Sequence, residues 1–283
     1  MKIRILRRLA QGFIFTACTI FASSTIADED RVYSLGVVPQ FEPLKLASIW
    51  TPISDAIFEQ SGVRLELSGS STIPEFEERF LAGDFDFAYM NPYHSIMARD
   101  AQGYVPILRD GSRSLFGILV VRNDDSALTV SDLEGSRIAF PAPNALGASL
   151  MMRANLDRIH KLDFEPVYAE THTSAYLNVL LGEARAAGGV MSTFRNAEPA
   201  IQDNLHVIYE TARVAPHPLT AHPRVAHEIV DLVREAMLAI AQNDEGKALL
   251  SQIPMHEPVS SNEAEYQALR EMELEQYLVL SAQ

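Results

Sequence analysis

Several side chains able to bind a small anion stand where a strand-like stretch gives way to a helix-like one. Asn91, Asn144, His172 and Ser192 each follow such a strand and each lie at a helix start. In open α/β sheets, ligands bind beyond the carboxyl ends of the strands. The free N–H groups and the dipole of a helix start favour negative charge there. The sequence therefore predicts an anion site assembled from helix starts.

Residue types that could support catalysis or hold a metal fit those roles poorly. Asp84 and Asp86 face the same side of a strand, but Asp84 directly follows the glycine that ends a helix. His217, His222 and His227 are spaced by five, which does not place them on one helix face. The sequence contains no nucleophile elbow, phosphate loop or dinucleotide-binding glycine pattern. We expect no enzyme, no metal site and no cofactor.

The composition is that of an acidic globular protein. The 283 residues include 23 Lys+Arg and 37 Asp+Glu, which gives a formal net charge of -14, and 47% of them are hydrophobic. Nucleic acid and anionic lipid both require a basic surface, so neither is expected as the main partner. The length allows one large domain or two modest lobes.

The first 27 residues have the three regions of a secretory signal peptide. Positions 2–8 contain four basic residues and no acid, a mostly apolar run follows over 9–22, and Thr25-Ile26-Ala27 forms a small-x-small cleavage pattern. The single cysteine, Cys18, lies inside this segment, so cleavage after Ala27 leaves a mature chain without disulfides or thiolate ligands. The alternatives are an N-terminal anchor helix and a lipid attached to Cys18. We expect a periplasmic protein, released by cleavage of the signal peptide or tethered by a lipid on Cys18.

Beyond residue 30, strand-like and helix-like segments alternate. Strands are predicted at 32–38, 63–67, 84–89, 115–121, 137–140, 166–169, 187–191 and 207–209. Helices are predicted at 44–60, 72–83, from 91 onward, and at 145–159, 173–181, 225–241 and 263–280. Repeated alternation of this kind predicts an α/β fold with mostly parallel sheets.

The order of these pieces resembles the periplasmic phosphate/phosphite/phosphonate-binding family, the solute receptors of ABC importers. The resemblance is carried by stretches spread over nearly the whole mature chain. They are 35–39 (LGVVP), 83–89 (GDFDFAY), 120–124 (VVRND), 132–135 (DLEG), 138–140 (IAF), Pro143-Asn144, His172 with Ala175, and 245–250 (EGKALL).

This resemblance implies a type II-like periplasmic binding protein with two α/β lobes, two hinge crossings and a ligand cleft between the lobes. Lobe 1 is expected at 28–118 plus 214–283 and lobe 2 at 119–213, after a signal peptide at 1–27. The crossings are expected near 114–121 and 209–216. Lobe closure would exclude water and strengthen every polar contact in the cleft.

Departures from the family pattern bear on the ligand. Phosphonate-binding members place Ser-Thr-Ser-Gly after Pro-Asn, whereas this chain has Ala145-Leu146-Gly147-Ala148. Where members that bind an aminated phosphonate carry acids, this chain has His217 and Ala184-Arg185. The resemblance therefore implies a ligand without an ammonium group, with His172 as the oxyanion donor and backbone N–H groups in place of the hydroxyls.

The candidate ligand-binding set combines the helix starts with the positions that the resemblance adds. It comprises Thr72, Tyr89, Asn91, Tyr93, Asn144, Ala145, Leu146, Gly147, His172, Ser192, Thr193 and His217. For these residues helix capping, core packing or, at His217, a solvated hinge histidine is the alternative interpretation. The predicted function is capture of a phosphate-like or phosphonate-like oxyanion for an inner-membrane ABC permease. The alternative is a periplasmic oxyanion sensor that acts with a histidine kinase.

Overall fold

The computed structural model describes residues 31–41, 43–125 and 127–279. The predicted signal peptide and Cys18 lie outside these residues. The strands are β1 (Val32–Val37), β2 (Arg64–Ser68), β3 (Phe87–Tyr89), β4 (Val105–Asp110), β5 (Gly117–Arg122), β6 (Arg137–Phe140), β7 (Glu165–Tyr168), β8 (Ala186–Val190), β9 (Leu205–Glu210), β10 (Leu219–Ala221) and β11 (Pro258–Ser260).

Helices alternate with these strands. The α-helices are α1 (Pro43–Ser61), α2 (Ile73–Ala82), α3 (Pro92–Gln102), α4 (Met152–Arg158), α5 (His172–Leu180), α6 (Met191–Arg195), α7 (Pro199–Gln202), α8 (His227–Ile240), α9 (Asp244–Leu250) and α10 (Gln267–Arg270). A π-helix spans Leu146–Met151, and 3₁₀ turns span Asn123–Asp125, Val130–Leu133, Glu263–Tyr266 and Leu274–Tyr277. Among the described residues, no helix has the length and apolar composition needed to cross a bilayer.

The strands form two sheets, and the α/β prediction is confirmed. A six-stranded sheet has the order β11-β4-β10-β3-β1-β2, and we call the part of the chain that carries it the first lobe. A five-stranded sheet has the order β7-β6-β8-β5-β9 and defines the second lobe. Each sheet has a parallel core, around β1 in the first lobe and around β6 in the second.

The expectation of mostly parallel sheets is wrong. Strand β10 runs antiparallel to β3 and β4, β11 runs antiparallel to β4, and β5 runs antiparallel to β8 and β9. The reason lies in the two passages between the sheets, because β5 and β10 each enter a sheet from the neighbouring lobe instead of from a helix of the same lobe. Strand–helix alternation in the sequence does not reveal that direction of entry.

Apolar spacing determines which helix faces are buried. In α1 the side chains of Leu46, Ile49, Trp50, Ile53 and Ile57 recur at helical spacing and are buried in the core of the first lobe. In the second lobe, small residues of β8 allow the π-helix to approach the sheet closely. A Cβ atom on Gly188 would lie 2.1 Å from the carbonyl oxygen of Ala148, so only glycine fits there.

The chain passes between the sheets at residues 111–116 and again at 211–218. The two passages pair with each other, since Leu115 N donates to Val214 O and Val214 N donates to Leu115 O, both at 2.9 Å. The crossings were predicted near 114–121 and 209–216, a range that includes residues 117–121 of β5. The lobe boundaries themselves stay a prediction.

Two predicted helices differ in their form. The segment expected as a helix at 145–159 begins as a π-helix, in which Leu150 N donates to Ala145 O, and continues as α4. The segment expected as one helix at 263–280 consists of short turns broken at 271–273, where Glu273 has a φ of 50°. We call residues 263–279 the C-terminal strap, because they contact both lobes.

Candidate functional site

A buried polar chain joins the two lobes. Glu77 of α2 is 5% exposed and His94 of α3 is 1% exposed, and Glu77 Oε1 lies 3.0 Å from His94 Nε2. From the second lobe, Asn144 Nδ2 donates to Glu77 Oε1 at 3.1 Å and to Oε2 at 3.2 Å. A carboxylate removed from water requires such partners, because an unpaired buried charge is costly.

Glu77 and His94 were not among the predicted site residues. Glu77 lies between Phe76 and Phe80 on the buried face of α2, and the rings of both phenylalanines pack near the imidazole of His94. The signal was present in the sequence, since an acidic residue at an apolar position of a helix is an exception that requires a partner. Its partner in the other lobe lies 67 residues away and has no local signature.

Asn91 and Tyr93 stand at the start of α3, next to this chain. Asn91 caps the helix, since its Oδ1 accepts a hydrogen bond from His94 N at 2.9 Å. Tyr93 is buried and packs in an apolar cluster with Leu146 of the second lobe. Burial raises the pKa of Tyr93, and a hydrogen bond to Glu275 raises it further. Both residues therefore lie at the contact between the lobes, where the sequence analysis expected them to line a cleft.

The amide of Asn144 is engaged in full. Besides Glu77, its Nδ2 donates to Val279 O at 3.0 Å, and its Oδ1 accepts from Val279 N at 3.0 Å. The following residues open the π-helix without a side-chain cap at Ala145. Leu146 is buried in the apolar cluster, and Gly147 lies against Gly117 and Val190. Direct contacts of residues 144–147 with a ligand stay a prediction. To bind a ligand, the Asn144 side chain would have to give up one of its hydrogen bonds to Glu77 or Val279.

A buried cation lies directly behind this segment. Arg153 of α4 is 8% exposed, and its guanidinium donates to the carbonyl oxygens of Pro143 and Tyr277. Its Nε donates to Ser149 Oγ at 3.2 Å. Burial lowers the pKa of Arg153, but a guanidinium stays charged at neutral pH. Arg153 was not among the predicted site residues, and it contributes positive charge near the π-helix.

His172 stands at the first position of α5, after the cap Thr171. Its Nε2 is buried and has no hydrogen-bond partner among the described residues. Burial lowers the pKa of His172 from 6.5 to about 4, so the ring is neutral at pH 7. A buried, unsatisfied ring nitrogen at a helix start is a group that a ligand oxygen would satisfy.

Ser192 and Thr193 follow β8 at the same end of the second sheet. Ser192 is exposed. Thr193 Oγ1 donates to Val190 O at 2.9 Å and lies 3.1 Å from the hydroxyl of Tyr176. Tyr176 also lies near His172, with ring centroids 6.5 Å apart. Tyr176 therefore connects the His172 and Thr193 positions into one group in the second lobe.

Tyr89 and His217 form a second group in the first lobe. Their rings stack with centroids 5.7 Å apart, and Tyr89 also packs against Trp50 at 5.0 Å. His217 Nε2 lies 3.2 Å from Gln40 Nε2, and the Tyr89 hydroxyl is buried without a described partner. Burial, with a smaller contribution from His94, lowers the pKa of His217 to about 3. Burial raises the pKa of the Tyr89 hydroxyl.

The candidate set thus falls into three groups and one outlier. The junction group holds Asn91, Tyr93 and residues 144–147, the second-lobe group holds His172 with Ser192 and Thr193, and the first-lobe group holds Tyr89 and His217. Thr72 is the outlier. It is exposed, and its Oγ1 caps α2 by accepting from Glu75 N at 3.2 Å. Among the described residues, no group of three or more His, Cys, Asp or Glu is arranged to hold a metal.

Comparison with known families gives a match to most of the chain. A family profile described as "ABC transporter, phosphonate, periplasmic substrate-binding protein" matches residues 35–266, a range that includes strands of both sheets. A comparison with curated proteins finds no match. The family match gives no support to the alternative of a receptor for a histidine kinase.

Solved structures share the fold at low sequence identity. A binding protein component of an ABC phosphonate transporter from Pseudomonas aeruginosa has a TM-score of 0.73 and 15% identity, over 86% of this chain and 85% of that one. PhnD1 from Prochlorococcus marinus in complex with methylphosphonate has a TM-score of 0.74 and 15% identity, over 85% and 96%. A Xanthomonas citri protein bound to ATP has a TM-score of 0.73 and 14% identity, over 87% and 98%. The two-lobed α/β architecture is confirmed by these likenesses.

Proposed function

Because the chain belongs to the family of periplasmic substrate-binding proteins of ABC phosphonate transporters, we propose that it captures a small phosphonate-like oxyanion between its lobes. It would deliver the ligand to a permease in the inner membrane. The predicted signal peptide at 1–27 would direct export to the periplasm, and a lipid on Cys18 is the alternative form of the exported protein. Its task is reversible binding, in which the ligand favours the closed form of the two lobes.

The observation that carries this proposal is the unsatisfied Nε2 of His172. This nitrogen is buried at the start of a nine-residue helix and has no described partner. A ligand oxygen would accept a hydrogen bond from the Nε2–H tautomer, and the free N–H groups of the helix start would favour its negative charge. Ser192 and Thr193, at the end of β8, are proposed to contact the same oxyanion.

The first lobe would supply the remaining contacts. We assign Tyr89 and His217 to the side of the ligand that faces the first lobe, because they already pack together and His217 lies near the end of the second passage, just before β10. Asn91, Tyr93 and residues 144–147 border the site at the lobe junction. Thr72 stays the weakest member of the set, since its described contact is a helix cap.

The charges near the junction favour a ligand without an ammonium group. Glu77 is the buried carboxylate nearest to the predicted residues of the junction, and both its oxygens already accept hydrogen bonds from Asn144. Its Oε1 is also in contact with His94. To pair with Glu77, an ammonium group on the ligand would have to displace Asn144 or His94. A methyl or other alkyl substituent needs no carboxylate partner. Methylphosphonate, with which PhnD1 of Prochlorococcus marinus was solved, is therefore the first ligand to test.

We expect methylphosphonate, phosphite or phosphate to raise the melting temperature, and 2-aminoethylphosphonate to raise it less. A ligand present at 100 times its Kd stabilises the folded state by about 2.7 kcal/mol, which corresponds to roughly 5–10 °C for a chain of this size. A thermal-shift screen would include sulfur and arsenic oxyanions for comparison. A chain that none of these oxyanions stabilises would contradict the proposal.

Replacing His172 with alanine is expected to weaken binding of the best oxyanion by about 10- to 150-fold. The reason is the loss of one charge-assisted hydrogen bond, worth about 1.5–3 kcal/mol. Isothermal titration calorimetry measures the change. The matched control is His206→Ala, since His206 is an exposed histidine on β9 of the same lobe. Equal affinities for wild type and His172→Ala would remove His172 from the site.

A further inference from the structure

The C-terminal strap is held to the first lobe by side-chain charges. Arg270 donates to both carboxylate oxygens of Asp100, at 2.8 and 2.6 Å. Arg109 Nε donates to Glu265 Oε1 at 2.9 Å. A third pair joins Arg99 to Glu263. The half of the strap at 263–270 is therefore fixed to α3 and β4, and a bidentate arginine–carboxylate pair is among the stronger contacts of this kind.

The other half of the strap, residues 272–279, is bonded to the second lobe mainly through its backbone. Arg158 of α4 donates to Met272 O at 2.6 Å, and Arg153 donates to Tyr277 O. The Tyr277 hydroxyl donates to Asp157. At the end of this half, Val279 and Asn144 exchange two hydrogen bonds, each 3.0 Å long. Every one of these partners lies between residues 144 and 158.

Apolar side chains of the strap pack into the seam between the lobes. Tyr266, Leu269 and Leu274 lie in one buried cluster with Tyr93 and Ile96 of the first lobe and with Leu146, Leu150, Met151 and Ala154 of the second. The same cluster includes Val214, which belongs to the second passage between the sheets. The strap therefore forms a third connection between the lobes, in addition to the two covalent passages.

We propose that residues 272–279 form an interlobe clasp, which holds the lobes together without a ligand and must leave the second lobe when the cleft opens. The break at 271–273 is where the mobile half of the strap, 272–279, separates from the fixed half, 263–270. Helical structure stops there, and Glu273 has a left-handed backbone. The half at 263–270 stays on the first lobe, where its carboxylates and guanidiniums are paired. Within the clasp, Asn144 forms hydrogen bonds to the backbone of Val279 and to the carboxylate of Glu77.

The clasp has a direct consequence for ligand affinity. A ligand that binds between closed lobes is assisted by any contact present only in the closed form, since the fraction of competent molecules multiplies the intrinsic affinity. Weakening the clasp would move ligand-free molecules toward an open form. The inference goes beyond the proposed function and requires only that the lobes move relative to each other.

The test uses ligand-free full chain, wild type and two variants, Asn144→Ala and the conservative Tyr277→Phe. Hydrogen–deuterium exchange is expected to show at least tenfold faster exchange over 272–279 in both variants, with 263–270 unchanged. Small-angle scattering is expected to give both variants a larger radius of gyration than wild type, and a compact chain of this length has about 19 Å. Arg185→Gln serves as the control, because Arg185 pairs with Asp125 inside the second lobe and is exposed.

Unchanged exchange and unchanged scattering in both variants would overturn the clasp. Loss of protection over all of 263–279 would show that the strap does not separate at 271–273. Loss of protection across both sheets in Asn144→Ala would mean that this variant unfolds, and the test would then rest on Tyr277→Phe. Because no ligand is added, a chain that binds no oxyanion at all would still show the predicted exchange. Failure of the clasp and failure of the proposed function are therefore distinguishable.

Discussion

Replacing Glu77 with alanine is expected to lower the free energy of unfolding by about 2–6 kcal/mol, because two buried donors, His94 Nε2 and Asn144 Nδ2, would each lose an acceptor at a cost of about 1–3 kcal/mol. The change would leave His94 Nε2 and one side of the Asn144 amide without acceptors in a site that water does not reach. It would also leave a cavity beside His94 and Asn144, which the Glu77 side chain now contacts. Urea denaturation followed by circular dichroism measures the loss.

Two variants make this result specific. Glu77→Gln keeps the shape and one acceptor oxygen, so we expect a smaller loss than with alanine. Glu78→Ala removes the exposed acid next to it on the same helix and should change stability by less than about 0.5 kcal/mol. If Glu77→Ala were as stable as Glu78→Ala, the hydrogen bonds of Glu77 to His94 and Asn144 would not contribute to stability.

Acidification from pH 7 to pH 4 is expected to remove about 3 kcal/mol of stability through His217 alone. The pKa of His217 is lowered to about 3 in the folded protein, against 6.5 for an ordinary histidine. Between these values the unfolded chain binds the proton and the folded chain does not, so stability falls as the pH falls through this window. At 1.36 kcal/mol per pH unit, the interval from 6.5 to 4 accounts for the figure.

The contribution can be isolated by substitution. His217→Gln removes the titrating group and keeps a polar partner for Gln40, so the stability of this variant should depend less steeply on pH between 6.5 and 4. His206→Gln, on the exposed side of β9, should leave the profile of the wild type unchanged. Parallel profiles for His217→Gln and wild type would show that folding does not lower the pKa of His217.

The order of strands and helices could be predicted where the signal is local. The cap Thr72, the proline after it and the left-handed Gly83 define α2 at both ends, and Asn91 with Pro92 defines the start of α3. These signals depend on hydrogen bonds within one turn and on the freedom of glycine. Neither requires knowledge of what packs against the helix.

Features that depend on distant contacts were missed. The strap was expected as one helix because its charges suit a solvated face, but Tyr266, Leu269 and Leu274 must reach two different lobes, and the helix breaks between the last two. Strand direction was missed for the same reason, since β5 and β10 take their direction from the passages between the sheets. No local pattern contains that information.

The candidate site was predicted in part. His172 was chosen for its position after a strand, and its buried unsatisfied nitrogen agrees with a binding role that calorimetry has still to test. Glu77, His94 and Arg153 were overlooked because most of their polar partners lie on other segments of the chain, which the local sequence does not reveal.

The pairing of Leu115 with Val214 has a consequence for how the protein signals occupancy. Two separate linkers would permit bending, sliding and twisting, whereas two linkers joined by a pair of backbone hydrogen bonds behave as one ribbon. We expect such a ribbon to favour hinge rotation of the lobes over sliding. A membrane partner would then need to sense only one angle in order to distinguish a loaded receptor from an empty one.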